Sequence, residues 1–405
     1  MSGGQRIAVL SLHTSPLAQP GSGDSGGMNV YVRELVSALA QAGLDCRVYV
    51  RRWDDALPDT VTVEPGFEVV HVPAGPVDLP KEDLPRIVGP FTDWVAADLE
   101  AFRPQAVHAN YWLSGVVGAQ LKRRLGLPLV STFHTLARVK AENGDPEPER
   151  RAHAEAAVMA CSDIVVANCS PEARQLEELY GLDPARIEVV TPGVDHAFFS
   201  PGDPRGARWA LDAGPSPLLL FAGRIQPLKG VDVAVRTLAL VRRRDARLWI
   251  VGGASGRRGD HEVERVRDLA AELGVADRVR FIPPQPHHLL STYYRAADVC
   301  LVPSRSESFG LVALEAAACG VPVVASAVGG LLTLVEHGRT GYLVEGRDPI
   351  DHAAAVDAIL DDPVLHRRLS VSAAARARIY TWSTSAARLR RLYADLGSRA
   401  LVGCD

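Results

Sequence analysis

Short runs rich in Val, Ile and Leu alternate along the chain with stretches whose apolar positions recur every three or four residues. Strands buried on both faces read as continuous apolar runs, so this alternation predicts parallel sheets with helices on either side. The first half carries such runs at 6–12, 46–50, 68–72, 106–109, 129–133, 164–167 and 187–190. The second half restarts the alternation at 217–222, 248–252, 279–282, 299–302, 322–325 and 341–344. Between them lies TPGVDHAFFSPGDPRGAR, where proline and glycine crowd a segment without periodicity, which puts a domain junction near residues 192–208. The fold class expected is α/β, with two Rossmann-like, doubly wound parallel-sheet domains at 1–200 and 205–382. A last helical stretch at about 383–396, with Leu389, Leu392 and Tyr393 at helical spacing, is expected to pack back. Open parallel sheets bind ligands beyond the carboxyl ends of their strands, so the ligand of such a pair is expected in a cleft between the two domains.

A length of 405 residues suits two domains of ordinary size. The net charge of −4 is spread without long runs of either sign, which argues against a nucleic-acid or membrane-surface binder. No apolar stretch has the length of a membrane span, and MSGGQRIAVLSLH turns directly into a strand, so a cytoplasmic protein is expected. The six cysteines, Cys46, Cys161, Cys169, Cys300, Cys319 and Cys404, show no C-x-x-C spacing and are read as reduced thiols, mainly core filler.

Gly23-Asp24-Ser25-Gly26-Gly27 copies the string around a chymotrypsin-like nucleophile, but one strand precedes it and Met28 onward reads as helix. That context fits a glycine loop approaching an anion at a helix N-terminus, with an ordinary structural turn as the alternative. A stronger signal is Phe221-Ala222-Gly223-Arg224-Ile225-Gln226-Pro227-Leu228-Lys229-Gly230. It sets two cations in a loop leaving a buried strand, where they can hold a diphosphate and stabilise the charge of a departing nucleotide. Ser306-Glu307-Ser308-Phe309-Gly310-Leu311 then leads into Val312-Ala313-Leu314-Glu315-Ala316. Glu307, ahead of the helix, can accept from sugar hydroxyls, while the amides of Phe309 and Gly310 and the helix end face phosphates. Glu315, inside the helix among alanines, can take both hydroxyls of a ribose. The run from Val328-Gly329-Gly330-Leu331 through Glu336 to Gly341 closes the same wall or simply turns the chain.

These motifs, with Gly26-Gly27 and His134-Thr135, resemble the retaining GT-B glycosyltransferases of the family 4 type nearly end to end. His13-Thr14-Ser15-Pro16-Leu17, Gln19-Pro20-Gly21, Gly23-Asp24-Ser25-Gly26-Gly27-Met28-Asn29-Val30-Tyr31, Tyr111-Trp112-Leu113-Ser114-Gly115 and His134-Thr135-Leu136-Ala137 resemble, within it, the D-inositol-3-phosphate glycosyltransferases of actinobacterial mycothiol biosynthesis. The resemblance implies a UDP-N-acetylglucosamine donor, a 1D-myo-inositol 3-phosphate acceptor and retention at the anomeric carbon. It places the acceptor phosphate on Lys81, Tyr111, Thr135 and Arg151, and the ring hydroxyls on His13, Asp24 and Asn29. On the donor side it assigns Gly27, Gln19 and Pro20, the diphosphate cations Arg224 and Lys229, Glu307 for the sugar with Ser308, Phe309, Gly310 and Leu311, and Glu315 for the ribose. His134, Glu307, Arg224 and Lys229 form its catalytic set, and a homodimer is suggested by the same likeness.

No conventional nucleophile is needed in such a family, since the acceptor hydroxyl attacks from the face the nucleotide leaves. His134 orients the donor sugar in this scheme, with a satisfied core histidine as the rival. The chain has no D-x-D, so no metal and no cofactor beyond the nucleotide sugar is expected. Two residues depart from the pattern of the inositol-phosphate enzymes, Asn110 in place of a histidine and Phe133 in place of a smaller residue. Three alternatives therefore stand beside the main reading: a paralogue joining a nucleotide sugar to an aminocyclitol or thiol, an epimerase or hydrolase acting on the donor alone, and a binding protein without turnover.

Overall fold

A computed structural model of the chain describes residues 5–21, 25–255 and 259–404. The chain divides into two compact units, one of residues 1–18, 28–193 and 382–405, the other of residues 19–27 and 194–381.

Among the described residues, the first unit holds eight strands, β1 (Arg6–Leu10), β2 (Asp45–Arg51), β3 (Thr60–Glu64), β4 (Phe67–Val72), β5 (Ala106–Asn110), β6 (Leu129–Thr132), β7 (Ile164–Ala167) and β8 (Ile187–Val189). They order as β3-β4-β2-β1-β5-β6-β7-β8, and every pairing is parallel except that of β3 with β4. β5, β6 and β7 are buried along their whole length, which is why their sequences show no alternation. The strand order reverses between β1 and β5, so the loops after these strands open at a switch point where such sheets bind ligands. Helix Trp112–Leu125 presses close to the sheet because Gly118 lacks a side chain: a Cβ there would lie 2.6 Å from Leu129 Cδ1.

Helix Trp382–Leu396 belongs to this first unit. Its Leu389 and Tyr393 are buried, Ser385 donates to the Thr191 carbonyl at 2.6 Å, and the Tyr393 hydroxyl meets His108 Nδ1 at 2.6 Å. The following tail lies against helix Trp112–Leu125. There Asp163 accepts from Lys122 Nζ at 2.6 Å and from the amides of Leu129 and Val402 at 2.8 and 2.7 Å. Cys404 is joined to Cys161 as a disulfide across 243 residues of sequence, a correction to the expectation of six reduced thiols. The pairing depends on the tail folding back, which cysteine spacing cannot reveal. The other four cysteines stand outside any disulfide and are buried, as core filler should be.

Among the described residues, the second unit holds six strands, β9 (Leu218–Ala222), β10 (Arg247–Val251), β11 (Val279–Ile282), β12 (Val299–Val302), β13 (Val323–Ser326) and β14 (Gly341–Val344). All are parallel, in the order β11-β10-β9-β12-β13-β14, with the reversal between β9 and β12. Two doubly wound parallel sheets are thus present, as the alternation of runs predicts.

Candidate functional site

In the second unit, the loop after β9 carries Arg224 and the short 3-10 turn Pro227–Lys229 carries Lys229. Lys229 Nζ bonds Glu307 Oε2 at 2.7 Å, and the Ser304 hydroxyl reaches the same oxygen at 3.3 Å. Glu307 is held by its backbone as well, since its carbonyl accepts from the Gly330 amide at 2.9 Å. Gly329 makes this approach possible: it sits at φ +48°, and a Cβ there would fall 1.9 Å from the Glu307 carbonyl oxygen. Residues 19–27 group with this unit. A Cβ on Gly26 would lie 3.0 Å from Arg224 Nε, and one on Gly27 3.6 Å from Leu311 Cδ1, so Gly26 lies against Arg224 and Gly27 beside the start of helix Leu311–Ala318. Gly310 caps that helix at φ +103°, Phe309 beside it is buried, and Ser308 is half-buried. Gln19 Nε2 donates to the Pro284 carbonyl at 3.0 Å, with half-buried Pro20 next to it.

Glu315 is almost wholly buried in the same helix, and both its oxygens are engaged. His287 Nε2 lies 2.7 Å from Oε1 and the Tyr294 hydroxyl donates to Oε2 at 2.8 Å. Burial pushes the Tyr294 phenol, helped by the charge of Glu315, well above its ordinary range, so it stays a donor.

In the first unit, four segments converge. Arg151, 4% exposed on helix Glu149–Cys161, donates through Nη2 to the Thr135 carbonyl at 3.0 Å and hydroxyl at 2.9 Å. Its Nε bonds Glu155 at 2.8 Å and its Nη1 bonds Glu147 at 2.9 Å. The Tyr111 ring lies 5.0 Å from the guanidinium, and His13 stacks on Tyr111 with centroids 4.2 Å apart. Lys81, half-buried at the start of the 3-10 segment Lys81–Ile87, is close enough for its charge to act on Glu147. Asn29 is buried and donates to the Thr14 hydroxyl and the Ser15 carbonyl at 2.5 and 2.6 Å, bracing the loop after β1. Asp24 lies outside the described residues.

His134 follows β6 in the left-handed region at φ +61°, a conformation costing about 1–3 kcal/mol for a residue with a side chain. Its Nε2–H donates to Asn110 Oδ1 at 2.9 Å, and Tyr31 meets the ring edge-on at 4.7 Å. Desolvation, with the neighbouring His108 adding to it, draws the His134 imidazole down to about 3, so it is neutral at physiological pH. Among the described residues, no group of three or more His, Cys, Asp or Glu side chains could hold a metal ion.

A model of the glycosyl transferases group 1 family matches residues 208–378, and one of glycosyltransferase family 4 matches residues 25–198. The chain is 48% identical to a D-inositol 3-phosphate glycosyltransferase of Acidothermus cellulolyticus, the match covering 96% of this chain and 90% of that one. A protein of the same description from Nocardia farcinica is 47% identical, over 98% of this chain and 92% of that one. Among solved structures, the sucrose-phosphate synthase of Thermosynechococcus elongatus superposes with a TM-score of 0.91 at 34% identity, covering 98% of this chain and all of that one. The chain belongs to the family 4 glycosyltransferases. Its fold is accordingly GT-B, and the enzyme is a hexosyltransferase. Anabaena HepE, solved with UDP and glucose, shares that fold at a TM-score of 0.79 and 20% identity, over 96% of this chain and all of that one.

Within this transferase the structure groups Gly27, Arg224, Lys229, Glu307, Ser308, Phe309, Gly310, Leu311 and Glu315 in one unit, and Lys81, Tyr111, Thr135 and Arg151 in the other. Sequence reasoning missed the partners of these residues. Glu155 stands four residues after Arg151 on the same helix, a spacing that signals an ion pair, while Glu147 pairs with Arg151 from the loop just ahead of that helix. His287 and Tyr294 lie 28 and 21 residues from Glu315 and have no local signal.

Proposed function

We propose that the enzyme transfers N-acetylglucosamine from UDP-N-acetylglucosamine to 1D-myo-inositol 3-phosphate with retention at the anomeric carbon. The observation that supports the acceptor half is the convergence of Arg151, Thr135 and Tyr111, with Lys81 nearby, a cluster of cations and hydroxyls suited to a phosphate monoester. The donor half rests on Lys229 and Glu307 held together beside Arg224 and the glycine loop. In this reading Arg224 and Lys229 hold the diphosphate, Glu307 takes sugar hydroxyls and Glu315 the ribose diol. The acceptor hydroxyl forms its bond to the anomeric carbon as the carbon–oxygen bond to UDP breaks, and its proton passes to the departing diphosphate. The developing negative charge meets cations already in place, so positioning and electrostatics carry the rate without a nucleophile or a metal. His134, neutral and fixed by Asn110, offers dipoles and not charge to the donor sugar.

The test is UDP release measured with and without inositol phosphate. Release that needs the acceptor supports the transfer, whereas equal release without it points to a hydrolase or epimerase. Lys229→Ala and Glu307→Ala should each lose most turnover with the fold retained, and unchanged kinetics in both would remove the pair from the site. The reading includes a homodimer in the cytoplasm, checked by light scattering and cell fractionation.

A further inference from the structure

Arg151 is the most enclosed cation of the proposed acceptor cluster, yet it is not surrounded by neutral groups. Its guanidinium carries five N–H donors. Nε–H goes to Glu155, both Nη2 hydrogens go to Thr135, and Nη1 goes to Glu147. With the Tyr111 ring against the guanidinium face, an incoming anion has to approach in the plane of the guanidinium, on the Nη1 side.

The two carboxylates differ in how they are held. Glu155 is fully enclosed on helix Glu149–Cys161, where Oε2 accepts from the Ala137 amide at 2.9 Å and from the Tyr180 hydroxyl. It is a fixed counter-ion. Glu147 lies in the loop between helices Ala137–Glu142 and Glu149–Cys161, its side chain 26% exposed. Among the described residues it pairs with cations: Oε1 meets Arg151 at 2.9 Å and also bonds Lys140 Nζ. Burial alone would raise the Glu147 carboxyl, but the Lys140 bond and the charges of Arg151, Lys140 and Lys81 outweigh it and hold the group below the usual carboxylate range. Lys140 has a second carboxylate, Asp145 at 2.9 Å, and so remains paired if Glu147 moves away.

We infer that Glu147 is an internal anion that competes with the acceptor's phosphate for Arg151 and Lys81, so that an acceptor binds only if its anionic group is strong enough to displace that carboxylate. This rests on the acceptor reading given above and adds a selection rule to it. A phosphate dianion can outbid one carboxylate for two cations. A cyclitol without phosphate leaves Glu147 in place, and a weakly charged acceptor has to work against it. Thr135 fits the exchange, because its hydroxyl oxygen accepts from Arg151, which leaves its own hydrogen to be given to another acceptor such as a phosphate oxygen.

The distinguishing outcome is a gain. Inorganic phosphate and inositol phosphate are titrated calorimetrically into the full chain and into Glu147→Gln, Glu147→Ala, Glu149→Gln and Arg151→Ala variants, with UDP affinity as the check of folding. Glu147→Gln and Glu147→Ala should bind both anions about tenfold more tightly than wild type. Glu149→Gln removes a neighbouring carboxylate that is 86% exposed and has no part in the cluster, and should leave the affinity as it was. Unchanged or weaker binding in both Glu147 variants overturns the inference, as does an equal gain in Glu149→Gln, which would mean a general charge effect. Should Arg151→Ala bind phosphate like wild type, the acceptor reading falls with it. If Arg151→Ala loses phosphate while the Glu147 variants show no gain, only the competition is refuted.

Discussion

Replacing Tyr294 by Phe removes one oxygen and keeps the ring, so the fully buried side chain continues to pack against Phe199, 6.0 Å away. What is lost is the 2.8 Å hydrogen bond to Glu315 Oε2. A hydrogen bond to a charged group contributes about 1.5–3 kcal/mol, and Glu315 at 5% exposure has little water to replace it. His287 still holds Oε1, so the carboxylate remains in place but can rotate about the bond that remains. If this orientation serves the ribose diol, UDP should bind about tenfold more weakly to Tyr294→Phe, which corresponds to about 1.4 kcal/mol. An analogue lacking the 2′-hydroxyl has less to lose and should bind both proteins alike. Calorimetry with UDP and 2′-deoxy-UDP measures the ratio directly, and a parallel melt reports the share of the loss that falls on stability. A UDP to 2′-deoxy-UDP preference equal to that of wild type would refute the claim that Tyr294 aims Glu315 at the ribose.

Gly329→Ala puts a Cβ into the Glu307 carbonyl at a positive φ, so the loop must shift; donor KM and kcat should both suffer while the acceptor's phosphate affinity, measured by calorimetry, stays constant. Glu172 is pushed up from 4.5 to about 7 by burial, so between those values the folded protein keeps a proton that the unfolded chain has released, and stability falls as pH rises through the window. That span corresponds to about 3 kcal/mol, and melts of Glu172→Gln against wild type should show the variant's relative gain growing from pH 4.5 to pH 8; a constant difference would contradict it. His108, drawn down by burial to about 4, acts in the opposite sense, withdrawing stability as pH falls below 6.5, and His108→Gln should flatten that acid limb in the same melts. Lys122→Met leaves Asp163 charged and buried with only two amide donors, and should cost about 3–5 kcal/mol, read as a lower denaturation midpoint; a shift within error would mean that the pair is dispensable.

The parallel strands were legible because burial on both faces leaves uninterrupted apolar runs, and each run picked out coincides with a strand. β3 was overlooked although Thr60-Val61-Thr62-Val63 alternates, since a short antiparallel edge strand is half exposed and lacks the apolar run that marks its neighbours. The neighbourhood of Arg224, Lys229 and Gly230 drew attention because loops suited to phosphates carry glycines and cations at fixed offsets from a strand end, and the structure sets Lys229 against Glu307 there. What stayed hidden is side-chain pairing over long separations. His287 and Tyr294 on Glu315, Asn110 on His134, and Cys404 on Cys161 are set by tertiary packing, which leaves no period in the sequence.

Helix Trp382–Leu396 and the tail behind it belong to the unit that the chain begins, while almost the whole of the other unit is encoded in between. During synthesis on the ribosome, the opening sheet emerges long before the segment that supplies Tyr393 to His108 and Val402 to Asp163. The later-encoded sheet can therefore mature while its predecessor still waits for its closing piece. A nascent chain halted near residue 380 should carry a protease-resistant second half and a first half that is still cleavable, reversing the order in which the two were translated.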